Sequence, residues 1–143
     1  MKKKIVIVFA AMLFLTANAA EVSEQDLQRY SAYYSNGMQY LKNQQYSSAI
    51  VEFKKVLRFS PYDENIQEKL ANAYFARAQY YKTTTKELKK ALNDYKSTVF
   101  YAKYWKEAQQ SQSMLSLVNS ATREINDLEK RLAVAQSASL RAQ

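Results

Sequence analysis

The chain contains neither histidine nor cysteine, so its acid–base and nucleophilic chemistry would fall to 13 aspartates and glutamates. Zinc sites, Ser-His-Asp triads and Cys-His pairs all need side chains that are missing here. Carboxylate-only catalysis needs two acids converging on one spot. Glu64, Glu68, Glu124, Asp127 and Glu129 instead fall on what read as solvent faces of helices. The expectation is a protein that is not an enzyme and that carries no metal or cofactor.

Chemistry of recognition is better represented. The 12 tyrosines each pair an apolar ring with a polar hydroxyl, the combination favoured in both cores and interfaces. Between Lys82 and Lys106 stand Lys86, Lys89, Lys90, Lys96 and Lys103 as well, against only Glu87 and Asp94. Lys86, Lys89, Lys90, Lys96 and Lys103 form a candidate basic face, with Phe100, Tyr101 and Tyr104 expected near it. Such a face suits an acidic protein, anionic lipid or another anionic envelope component. Nucleic acid is a poor match if the chain is exported.

Export is what the N-terminus predicts. Lys2, Lys3 and Lys4 precede the apolar run Ile5–Leu15 and the small-residue site Ala17-Asn18-Ala19, the layout of a secretory signal peptide over residues 1–19. The run falls short of the roughly 20 residues a membrane-spanning helix requires. A periplasmic or secreted location follows as the expectation. Cleavage after Ala19 would remove three lysines and lower the net charge of +8 accordingly.

One glycine and one proline in 143 residues leave little material for turns, so helices must position these side chains and the fold class should be all-α. Ser23 is a natural N-cap for a first helix ending near Lys42, with Glu24 and Asp26 favouring its positive end. Asn43, Gln44 and Gln45 form a short turn before a second helix from Tyr46 to about Phe59. Asp63 should cap a third helix running to about Tyr81. A turn around Lys82–Thr85 should follow, with Thr84 and Glu87 spaced as a capping box for a fourth helix. Leu88, Ala91, Leu92, Tyr95, Val99 and Ala102 share one side of that helix. Met114, Val118, Ala121, Ile125, Leu128, Leu132 and Ala135 then trace a heptad-like seam along a long last helix.

The spacing Tyr33, Gly37, Tyr40, Tyr46, Ala49, Phe53, Val56, Leu57, Pro61 resembles the tetratricopeptide repeat (TPR), a helix–turn–helix unit of about 34 residues. Gly37 stands where two helices cross closely, and Pro61 where a helix must stop for want of an amide hydrogen. Asn36 departs from the pattern, in which leucine is commoner. The resemblance implies antiparallel hairpins over residues 23–104. The best repeat would span about 30–63 and a degenerate second about 64–104, followed by a capping or coiled-coil helix over 105–143.

In proteins of this family the first helices of successive repeats line a concave groove. Carried over by position, the resemblance implies partner-binding residues Tyr34, Met38 and Leu41 from the first repeat and Lys69, Asn72 and Phe75 from the second. Tyr34 and Met38 stand where lysine and asparagine would clamp a terminal carboxylate, so that mode is not expected. The implied function is a non-catalytic exported adaptor or scaffold that holds a peptide or helix of an envelope protein. Two other readings are a homo-oligomer joined through the last helix and a peripheral binder of anionic envelope components, with weak membrane contact, through the lysine face.

Overall fold

The computed structural model describes residues 23–103 and 112–142. The expected signal peptide, Tyr104, Trp105 and Lys106 lie outside the described residues. Among the described residues five α-helices follow one another: α1 (Glu24–Lys42), α2 (Tyr46–Val56), α3 (Glu64–Tyr80), α4 (Leu88–Lys103) and α5 (Gln112–Arg141). Each packs chiefly on the next in the chain, and α5 also touches α3. No described helix is long and apolar enough to cross a membrane.

The caps explain where the helices begin. Ser23 Oγ accepts from the Asp26 amide at 3.0 Å, satisfying one of the free donors of the first turn. Asp63 does the same for α3 through the Ile66 amide at 3.1 Å. Its other carboxylate oxygen accepts from the Tyr30 hydroxyl at 2.5 Å, tying α1 to the start of α3. That bond to an anion, helped by burial, pushes the Tyr30 hydroxyl up to about 12.

Two helix ends close on a left-handed residue other than glycine. After α1 the Gln45 amide donates to the Tyr40 carbonyl at 2.9 Å and the Gln44 amide to Leu41 at 3.1 Å. Gln44 lies between them in the left-handed region (φ 59°), where glycine is the usual occupant. Lys86 takes the same φ of 59°, but there the closure is wider, the Glu87 amide reaching six residues back to the Tyr81 carbonyl at 2.9 Å.

The structure corrects two local expectations. The second helix stops at Val56 rather than near Phe59, because Arg58 and Phe59 donate three residues back and tighten the chain before Pro61. Thr84 does not cap the fourth helix. Tyr81–Thr85 widen into a π-helical turn that continues α3, and α4 begins only at Leu88, beyond left-handed Lys86.

Among the described residues the core divides into three clusters. Ala49, Phe53, Val56, Ile66, Leu70 and Tyr74 join α2 to α3, with Tyr33, Tyr34, Tyr40 and Leu41 packed on them from α1. Ala78, Ala91, Tyr95, Ala121 and Leu128 join α3, α4 and α5. Ala71, Ala102 and Met114 make a smaller third cluster. Gly37 meets Phe53 so closely that a Cβ would sit 2.6 Å from Cε1 of the ring. The seam expected on α5 is buried in the chain's own core at Met114, Ala121 and Leu128, half-buried at Val118, Ile125 and Leu132, and exposed at Ala135.

Candidate functional site

A cleft of about 240 Å³ opens between α3 and α5. Glu68, Asn72 and Phe75 line one wall, at the four- and three-residue steps that keep side chains on one helix face. Ser113, Met114, Ser116, Leu117 and Ser120 supply the other. Phe75 is held edge-on against Tyr95 at a centroid distance of 5.5 Å, and the Asn72 amide nitrogen donates to the Glu68 carbonyl at 3.0 Å. That bond leaves the Asn72 side-chain oxygen available as an acceptor. The result is an apolar floor of Phe75, Met114 and Leu117 under a rim of hydroxyls, one amide and one carboxylate.

Of the six residues implied as partner-binding, Asn72 and Phe75 therefore share a cleft. Tyr34 and Leu41 pack partly into the first core, with Tyr34 tilted against Phe53 at 6.4 Å. Met38 is exposed beside them and Lys69 is half-buried on α3. Contact between α1 and α3 is slight, so the two trios sit on neighbouring helices rather than across one closed pocket. Glu68 and the α5 wall were not picked out from the sequence. The spacing of Glu68 from Asn72 and Phe75 could have found the first. Finding the second requires knowing which helix lies opposite.

The lysine face is partly consumed by the protein itself. Lys96 pairs with Glu129 of α5 at 2.7 Å, and Lys82 pairs with Glu124. Lys90 reaches Glu87 at 2.7 Å and lies 5.4 Å from the Tyr81 ring centre. Glu87 holds the Lys90 ammonium above its ordinary range, and Lys90 in turn lowers the Glu87 carboxyl. Lys86, Lys89 and Lys103 are exposed. Tyr101 does not join the lysines as expected but stacks on Tyr74 at 5.6 Å with the rings nearly parallel. Phe100 remains about half exposed. Among the described residues, no three acidic side chains gather as a metal site would require.

The strongest polar constellation is one that the sequence reading did not name. Arg77 of α3 donates to both Asp94 carboxylate oxygens of α4, Nε at 2.7 Å and Nη2 at 2.9 Å, while Nη1 donates to Ser47 Oγ of α2 at 3.0 Å. Its guanidinium also lies 5.3 Å from the Tyr74 ring and 5.7 Å from the Tyr81 ring. Asp94 is 6% exposed, and the pair holds the Arg77 guanidinium above its ordinary range. The positive charge is thereby neutralised and fixed in place.

No protein-family model, curated protein or solved structure matches this chain. The fold and its surfaces are the ground for any functional reading.

Proposed function

We propose that the protein is a non-catalytic, exported adaptor of the TPR type, which holds a peptide or helix of an envelope protein along the face shared by α1, α3 and α5. The observation carrying this reading is the first hairpin. The Gly37–Phe53 crossing, the buried Ala49 and the stop before Pro61 are the features by which the sequence resembles that repeat. Support also comes from the α3–α5 cleft, whose floor is apolar and whose rim can bond a peptide backbone. This functional class rests on the resemblance of the Tyr33–Pro61 spacing to the repeat, and the site chemistry narrows it only to an extended or helical peptide.

Crosslinking in the native envelope followed by mass spectrometry tests the proposal. Met38→Ala with Asn72→Ala is the informative double variant, since both side chains are exposed and their removal should leave helicity intact. Tyr34→Ala would also strip packing from Phe53 and confuse the outcome. A partner captured by the wild type and lost in the double variant supports the groove. Partners unchanged by it would sink the groove.

A second reading, self-association through α5, is favoured by one observation. The helix continues well past its last buried residue, Leu128, with Val134 and Leu140 about two-thirds exposed. Truncation after Leu132 with sedimentation tests it without opening the core, which removal of Met114, Ala121 and Leu128 would do. A wild-type protein that sediments as a monomer removes this reading.

A further inference from the structure

A second cleft, of about 270 Å³, lies between the start of α2 and the end of α3, away from the proposed peptide groove. Its lining is unlike that of the α3–α5 cleft. Gln44, Gln45, Ser47 and Ser48 contribute only amides and hydroxyls, groups that both donate and accept. Tyr46, Tyr80 and Tyr81 contribute rings, each with a hydroxyl. The remaining residue is Arg77, and among the described residues no aliphatic side chain or carboxylate lines the cleft.

The charge state of this cleft narrows the ligand. Arg77 spends two of its donors on Asp94 and one on Ser47, which leaves two of its five N–H groups for a guest. Its charge is already balanced by Asp94, so little attraction for an anion remains. Ser47 Oγ accepts from Arg77, which frees the Ser47 hydroxyl proton to be donated outward. Tyr81 is engaged by Arg77 at 5.7 Å and Lys90 at 5.4 Å from its ring centre, whereas Tyr80 is 48% exposed and tilted 55° from it. Tyr80, the more exposed of the two remaining rings, is the one best placed to carry a ligand, with half-buried Tyr46 beside it in the lining.

We propose that this cleft binds a neutral oligosaccharide. A sugar ring has a C–H face that packs on an aromatic ring and a rim of hydroxyls that donate and accept at once. An aliphatic peptide side chain would need an apolar pocket, and an anion would need an unspent charge; the described lining offers neither. The site is independent of the peptide groove and stands or falls separately from it.

The experiment is titration of the protein with maltotriose and, separately, with N,N′,N″-triacetylchitotriose, following the amide signals of residues 44–48 by NMR. The expected result is saturable shifts centred there with at least one sugar, at a Kd on the order of 1 mM. Tyr80→Ala and Gln45→Ala should each weaken binding about tenfold, the scale of one lost ring or amide contact. Met38→Ala, on the other surface, should leave it unchanged. Unchanged dispersion of the remaining amide signals shows that the variants are folded. Absence of saturable shifts with either sugar overturns the proposal. So does full binding by Tyr80→Ala, or an equal response to inorganic phosphate, which would mark a simple anion site at the start of α2.

Discussion

Where α1 crosses α2, the missing side chain of Gly37 lets the Phe53 ring lie against the helix backbone, and the surrounding contacts are tyrosines and aliphatic groups. Where α3 crosses α4, alanines at 78 and 91 allow the approach, and the buried polar link is the Arg77–Asp94 ion pair. The first hairpin is joined by shape and the second by small residues plus charge. Shape complementarity within a hairpin is written in spacings of a few residues. An ion pair between positions 77 and 94, propped by Ser47, depends on three helices arriving together. The second arrangement is therefore more vulnerable to loss of a single partner, and its ring and guanidinium neighbours are also what create the polar cleft.

The largest effect that would separate the two hairpins should come from Asp94→Ala. It strands a half-buried guanidinium, and stability in urea should fall by about 3–5 kcal/mol. Replacing both partners by apolar residues, as Arg77→Met with Asp94→Leu, should recover most of that loss, because no unpaired charge then remains. A double variant no more stable than the single one would mean that the pair acts through shape.

Gly37→Ala is the corresponding test in the first hairpin. The added methyl would press on a fully buried ring, at a net cost of about 1–3 kcal/mol despite alanine's better helix propensity. Adding Phe53→Leu should make the two changes less than additive, since it removes the atoms that clash. Full additivity in a double-mutant cycle would refute the crossing as the source of the cost.

Tyr30→Phe should cost about 1–2 kcal/mol at neutral pH, by removing the hydroxyl that donates to Asp63. The folded protein holds the Tyr30 proton to about 12 against an ordinary value of 10.0, and burial does the same for Tyr95. Raised values mean that the stabilisation is fully present below pH 10 and is lost as pH climbs toward 12. Denaturation midpoints measured across that window should fall for the wild type and fall less for Tyr30→Phe. Equal slopes would show that the hydrogen bond does not persist in solution.

The smallest effect compares the two turns. Gln44→Gly and Lys86→Gly each relieve a left-handed residue at the cost of a looser unfolded chain, for a net gain of about 0.5–1 kcal/mol. A loss of stability at either position would show that its side chain makes a contact worth more than the strain.

Much of the fold was legible because its determinants are local. Ser23 and Asp63 cap α1 and α3 as their side-chain chemistry predicts, and the turn at Asn43–Gln45 falls where the apolar periodicity lapses. The misreadings share a cause as well. Thr84 and Glu87 have the spacing of a capping box, yet the chain closes α3 with a π-helical turn instead. Docking Lys82 onto Glu124 engages a residue far along the sequence in that same segment. Tyr101 reads as a surface ring from helical phase alone, but Tyr74 of α3 takes it into a stack.

By itself, then, the sequence determined an all-helical chain, the caps of α1 and α3, the close crossing at Gly37 and the apolar faces of α4 and α5. Each depends on side chains within a turn or two of one another, where spacing translates directly into geometry. Only the tertiary structure decided that α5 spends its seam and two of its acids on its own chain. The same holds for the convergence of Arg77, Asp94 and Ser47, and for Glu68 and Asn72 facing a row of serines. Those outcomes join residues 17 to 42 positions apart or more, and no local periodicity carries the relative placement of two helices.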